Sequence, residues 1–148
     1  MKMDENIRWK YSYEGDFRPK IDEVLKTLSE FEDLIAEGVF DEYSQIRFFK
    51  SFKKLFDGAI KTLKFYFRYQ GIFQVSVFEI IKEAFYVEII ENGQTWVDMM
   101  FDLNQWEENN YNDLDIKSRL KVKEKYLPEM EELDKFFQKE LEINNGNK

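Results

Sequence analysis

The chain has 148 residues, a formal net charge of −8, and a composition that is 43% hydrophobic and 18% aromatic, with 15 Phe. That is the length of one domain with enough apolar material for a sizeable core. It has no Cys and no His, which excludes disulfides, thiolate chemistry, zinc sites, a serine triad built on His and a His-dependent ribonuclease centre; a carboxylate-only metal site stays open.

Six Gly and two Pro leave long unbroken segments, which favour an all-α fold: an antiparallel, up-and-down helical bundle of about five helices. The opening residues, MKMDENIRWK, lack the apolar centre of a secretory signal. No run of 18 apolar residues occurs, so no membrane span is expected and the expected location is cytoplasmic.

Residues 4–17 read ambiguously, since Gly15 interrupts a helix-like start. A helix follows, with Pro19 suited to its first turn. Its apolar face is Ile21, Leu25, Leu28, Phe31 and Ile35, and Gly38 is its stop. A long second helix spans about 42–70 and ends at Gly71. Its main stripe is Phe49, Phe52, Phe56, Ala59, Leu63 and Tyr66, with a thinner stripe of Phe48, Leu55 and Phe65 off that face. Two apolar faces place such a helix either in the centre of a bundle or at a subunit interface. Ser76 and Glu79 have capping-box spacing at the start of SVFEIIKEAFYVEII. Asn92-Gly93 marks a turn, after which Thr95 and Asp98 read as the cap of a short helix, TWVDMMFDL. Asp113 or Asp115 can cap the last helix, whose apolar residues are Leu120, Tyr126, Leu127, Met130, Leu133, Phe136 and Phe137. Pro128 should bend or interrupt that helix. Residues 1–140 are expected to form the single domain, and 141–148 a disordered tail.

Charge is uneven. Residues 47–68 carry Arg47, Lys50, Lys53, Lys54, Lys61, Lys64 and Arg68 against Asp57, a net of +6 that leaves −14 on the rest. Arg47, Lys50, Lys54, Lys61, Lys64 and Arg68 repeat at helical spacing and share a face. A solvated helix face is the plain reading of such a stripe. The sharper one is a docking surface for an acidic partner or a phosphate. The overall acidity argues against non-specific binding to bare nucleic acid.

The stretch MMFDLNQWEENNY, residues 99–111, gathers Asp102, Asn104, Gln105, Glu107, Glu108 and Asn109 and closes on Tyr111. It contains no Arg, Lys, His, Ser or Cys. Glu107 and Glu108 with Asp102 could hold a hard cation, though a solvated acidic turn is the favoured reading. Trp96, Met99 and Met100 read most simply as core.

Three segments together resemble a known family. FKSFKKLFDGAIKTLKFYF is similar to the second helix of the nucleotidyltransferase substrate-binding subunits of the HEPN superfamily, through Phe52, Phe56, Ala59, Lys61, Leu63 and Tyr66. SVFEIIKEAFYVEIIENGQTWVDMMFDLN resembles the next family block at Ser76, Ile81, Glu83, Ala84, Phe85, Ile90, Gly93, Trp96 and Met99, and ENIRWK is a third echo. The likeness covers most of residues 5–140. It implies an up-and-down bundle that commonly dimerises and a minimal nucleotidyltransferase as partner, in some cases within a toxin–antitoxin pair. In such pairs the HEPN subunit is a ribonuclease whose motif is Arg, four to six residues, then His, often followed by x-Tyr. A His there can move the proton of a ribose 2′-OH, and an Arg can stabilise phosphate charge. In some pairs the partner adenylylates the motif Tyr.

Measured from Trp96, the family's Arg falls on Leu103. Measured from Tyr111, Asn104 replaces the Arg and Asn109 the His. Asn can hydrogen-bond but neither takes a proton nor carries charge. Residues 102–111 therefore read as a degenerate motif in which Tyr111 alone survives, a candidate modification acceptor. The resemblance, with this motif lost, implies a non-catalytic, substrate-binding or regulated subunit, homodimeric and without cofactor. The alternatives are a ribonuclease using Lys or Arg from the basic stripe, and a stand-alone helical scaffold.

Overall fold

The computed structural model describes residues 17–39, 41–112, 114 and 116–146, and every regular element among them is helical. In chain order these are α1 (Phe17–Ala36), α2 (Glu42–Tyr69), α3 (Val77–Tyr86), α4 (Gly93–Glu108), α5 (Ile116–Lys121), a π-helical turn (Val122–Tyr126) and α6 (Leu127–Gly146). The α5–π–α6 run is continuous, so the chain folds as an all-α bundle of five rods.

Local chemistry sets most of the ends. Asp41 caps α2 by accepting from the Tyr43 N–H at 3.1 Å, and the Ser76 hydroxyl caps α3 by accepting from the Glu79 N–H at 3.1 Å. After α1 and α2 the chain reverses through Gly38 (φ +76) and Gly71 (φ +82), the left-handed backbone that glycine takes without steric cost. Helix α3 stops earlier than its apolar run suggests, at Tyr86, because Glu88 takes φ +65 and the Ile89 N–H turns back to the Ala84 carbonyl. Helix α4 is longer than expected at both ends. It is capped at Asn92, not at Thr95; Asn92 makes no side-chain cap bond, and its amide nitrogen donates to Glu129. The polar residues through Glu108 belong to the helix, and only 109–112 form the turn. Pro128 does not break the last rod. The π turn, closed by the Leu127 N–H on the Val122 carbonyl, precedes it and takes up the ring that a straight α-turn would press against a carbonyl. Helix α6 runs on to Gly146, across the stretch expected as a tail. The ambiguous N-terminal stretch, ENIRWK, Asp113 and Asp115 lie outside the described residues.

Helices α1 and α2 lie antiparallel. Thr27 meets Ser51 (2.8 Å), Glu30 meets Arg47 (3.1 Å) and Phe31 meets Phe48 (6.3 Å between ring centroids). Aromatic contacts tie the remaining rods to α2: Phe56 with Trp96 of α4, Phe52 stacked on Tyr126 at 5.8 Å, and Tyr66 edge-on to Phe136 and Phe137. Both apolar stripes of α2 are thereby covered. Phe48 and Leu55 are as buried as Phe52 and Leu63, and of the thin stripe only Phe65 reaches the surface. So α2 is the central rod, and its two faces do not require a second subunit. Two residues expected in the core are outside it. Leu25 is exposed because the buried side of α1 centres on Ile21, Val24, Leu28 and Phe31. Leu120 is exposed because α5 turns Arg119 inward instead, its guanidinium 5.0 Å from the centre of the Phe31 ring. Most of the other exposed apolar surface lies on α3, α4 and the link before them, at Phe73, Val75, Phe78, Phe85, Tyr86 and Phe101.

Candidate functional site

The segment 102–111, read from the sequence as a degenerate motif, is the last two turns of α4 and the reversal after it. Leu103 faces the core at 4% exposure, beside buried Trp96, Met99 and Trp106. Asn104, Glu107 and Glu108 are exposed. Asn109 is the C-cap of α4, its N–H on the Gln105 carbonyl, and is exposed as well. Five residues along a helix turn about 140°, so Asn104 and Asn109 point to different sides. Asp102 does not join Glu107 and Glu108. It faces the π turn, where it accepts from the Tyr126 hydroxyl and pairs with Lys121 at 3.0 Å. Among the described residues no three carboxylates converge as a metal site would need.

Tyr126 is the group this arrangement perturbs. Burial pushes its phenol well above its ordinary range, and the hydrogen bond to Asp102 and the negative charges of Asp102 and Asp98 add to that. It is therefore a neutral donor at any ordinary pH, a strut between α4 and the π turn. It is not a proton shuttle.

Tyr111 sits in a strained turn. Asn110 (φ +53) and Tyr111 (φ +66) are both left-handed, which costs a bulky residue about 1–3 kcal/mol. Three contacts hold it there: its N–H donates to the Trp106 carbonyl at 2.7 Å, its ring lies 4.7 Å from that of Phe49, and its carbonyl accepts from Gln45 Nε2 at 2.8 Å. The same Gln45 amide donates to the Leu114 carbonyl at 3.1 Å. Gln45 is 5% exposed and so stitches the motif turn to α2 from inside. Sequence reading passed it over, although a signal was there. Gln45 lies on the same helical side as Phe49, Phe52 and Phe56, a polar residue in an apolar stripe.

The basic stripe is at the surface of the same helix. Lys50, Lys54, Lys61 and Arg68 are exposed, and Arg47 and Lys64 are partly so. Arg47 pairs with Glu30, whereas Lys53, off the main line, pairs with Asp57 at 3.0 Å. Lys20 of α1 leans across Gly58, so close that a Cβ there would meet its Nζ at 2.7 Å. Sequence reading missed Lys20 because it belongs to a different helix. The stripe and Tyr111 are on different sides of α2: the stripe faces solvent, while Tyr111 packs on buried Phe49.

No protein-family model matches this chain, and no curated protein matches it. No helix among the described residues is long and apolar enough to cross a membrane.

Proposed function

We propose that this protein is a non-catalytic, substrate-binding or regulated subunit of the HEPN type that pairs with a minimal nucleotidyltransferase, as one half of a toxin–antitoxin system in the form the resemblance suggests. The observation that supports this reading is the fate of the motif positions. Leu103 is spent on the core, Asn104 and Asn109 diverge, and the nearest acid, Asp102, is engaged by Tyr126 and Lys121. Chemistry of the ribonuclease kind needs a group that moves a proton and a cation at the phosphate, together worth many powers of ten in rate. In this reading the turn keeps its shape as a recognition element, and Tyr111 is the surface the partner addresses. Modification there would join the Tyr111 oxygen to the α-phosphorus of a nucleoside triphosphate as pyrophosphate leaves.

The reading includes self-association in the cytoplasm through the exposed aromatics of α3 and α4. Phe85 lies against Gly93, so the two helices run side by side from that end. Phe78 and Phe85 on α3 and Phe101 on α4 are all exposed, apolar surface of the kind that monomers rarely leave uncovered when it is contiguous.

The test is co-purification with the product of a neighbouring nucleotidyltransferase gene, followed by incubation with a labelled nucleoside triphosphate. A stable complex is expected, with label on the bundle subunit that Tyr111→Phe removes. Label that survives the change would exclude Tyr111 as the acceptor. Robust RNA cleavage by the purified chain, abolished by Lys54→Ala and Lys61→Ala, would overturn the non-catalytic role. Sedimentation at about tens of micromolar, a range set by ordinary association energies, should show a dimer that Phe101→Asp dissociates.

A further inference from the structure

At 100° per residue, Tyr43, Arg47, Lys50, Lys54, Lys61, Phe65 and Arg68 fall within an arc of roughly 60° on α2. They form one straight row. From Tyr43 to Phe65 it is about 33 Å long at 1.5 Å per residue. Lys50, Lys54 and Lys61 form no ion pair with any described residue. Beside the row, α1 and α2 leave two adjoining hollows of about 530 and 380 Å³. Both are lined by Lys20, Lys50 and Lys54, so they make one trough. Its walls add Arg47, Lys53 and Lys61, and the carboxylates are Glu23 and Asp57, the latter held by Lys53.

The cations do not converge. Lys50 and Lys61 are about 16 Å apart along the axis, so a single phosphate would meet one or two of them. The row fits a chain of phosphates. Its two ends carry exposed aromatics, each with a cation over the ring: Tyr43, 68% exposed, with Arg47 at 5.8 Å, and Phe65, 39% exposed, with Lys61 at 6.0 Å. An acidic protein face would use the lysines and has no need of the ring faces. A strand of phosphates with free bases uses both, because every base can stack on an aromatic face while its backbone follows the cations. A duplex is a poor fit, since its breadth would bring phosphates over the acidic remainder of the chain. A flexible single strand can keep to one narrow track. The acidity of the whole therefore narrows the ligand without excluding nucleic acid.

We infer that the α1–α2 trough and the row Tyr43–Phe65 bind single-stranded nucleic acid, with Lys20, Lys50, Lys54 and Lys61 on the phosphates and Tyr43 and Phe65 as stacking platforms. This goes beyond the subunit role proposed above and needs no nucleotidyltransferase, so either can fail without the other.

The experiment is fluorescence anisotropy of the full chain with labelled twelve-nucleotide oligothymidylate and oligouridylate, at low and at moderate salt. Four phosphate contacts predict a log–log salt slope of about −3. Lys54→Glu with Lys61→Glu should weaken binding at least about tenfold and flatten that slope. Tyr43→Ala or Phe65→Ala should each weaken binding by about fivefold or more without altering the slope, the signature of stacking. All four positions are exposed, and an unchanged helical circular dichroism spectrum would show that the variants fold. A duplex of the same length should bind more weakly. The inference is overturned if neither oligonucleotide binds at low salt, if the lysine pair leaves binding unchanged, or if polyglutamate binds as tightly, which would make the row an acidic-protein dock.

Discussion

Gln45→Leu is the most direct probe of how the motif turn is held. Leucine fills nearly the same space on the apolar stripe but removes the amide that donates to the carbonyls of Tyr111 (2.8 Å) and Leu114 (3.1 Å). The two acceptors do not lose equally. The Tyr111 carbonyl also receives the Leu114 N–H at 3.2 Å, so it keeps a partner and forfeits about 1 kcal/mol, the net worth of an ordinary bond. Leu114 is 3% exposed, and the Gln45 amide is the donor that reaches its carbonyl. That carbonyl should carry an unsatisfied-acceptor cost of about 1–3 kcal/mol. The sum is about 2–4 kcal/mol, offset in part by the gain from burying a leucine, which leaves about 2 kcal/mol. At about 2–4 °C per kcal/mol for a chain of this size, the midpoint should fall by about 4–8 °C. Thermal unfolding followed by circular dichroism measures this, and hydrogen exchange localises it. Amides around 109–114 should lose protection before those of α2. If Gln45→Leu unfolds within about 1 °C of the parent, with exchange in the turn unaltered, Gln45 does not anchor the turn and the support for a preformed recognition element is gone.

Other substitutions test other contacts. Tyr126→Phe keeps the stack on Phe52 and removes the bond to Asp102, and should cost about 1–2 kcal/mol in denaturant unfolding. Because the folded-state phenol is raised above its ordinary value near 10, its contribution is intact below pH 10 and is lost as the pH rises through the folded-state value. The parent should therefore weaken more steeply above pH 10 than Tyr126→Phe, and parallel curves would contradict the assignment. Leu103→Arg, which places an arginine where the resemblance would put one, forces a charge into a site only 4% exposed. It should cost several kcal/mol and abolish cooperative unfolding, whereas a stable variant would mean that α4 can turn that position outward. Gly58→Ala removes a helix-interior glycine. It should stabilise by about 0.5–1 kcal/mol if the Lys20 ammonium, 2.7 Å from the new Cβ, swings aside. A loss of stability would show that Lys20 is fixed across the helix.

What the sequence disclosed is what local chemistry determines. The stops at Gly38 and Gly71 and the Ser76 cap depend on one or two residues and their immediate neighbours, and all are found in place. The misplaced cap of α4 shows where this fails. Thr95 and Asp98 have the right spacing, but Asn92 starts the helix and sends its amide to Glu129, 37 residues away. The motif segment fails in the same manner. Its composition says that proton-moving and cationic groups are lacking, yet Asp102 finds Tyr126 at a separation of 24 residues, and the Tyr111 carbonyl finds Gln45 at 66. No periodicity within the segment announces either partner.

Amphipathic pattern has a related limit, and α2 displays it. Two apolar stripes state how much surface must be covered but not by what. In the fold, α1, α4 and the α5–α6 rod close over both, leaving Phe65 beside Lys61 as the visible remnant. Apart from Tyr43 and Phe65 in the α2 row, the exposed aromatics are on α3, α4 and the link before them, where Phe85 stands half out in solvent. Self-association therefore has to be sought on α3 and α4, and its disruption by Phe101→Asp should leave oligonucleotide binding on the α2 row intact. If instead Phe65→Asp dissociated the protein while Phe101→Asp did not, the exposed end of the thin stripe would be the interface after all, and the row could not serve a second chain and a strand at once.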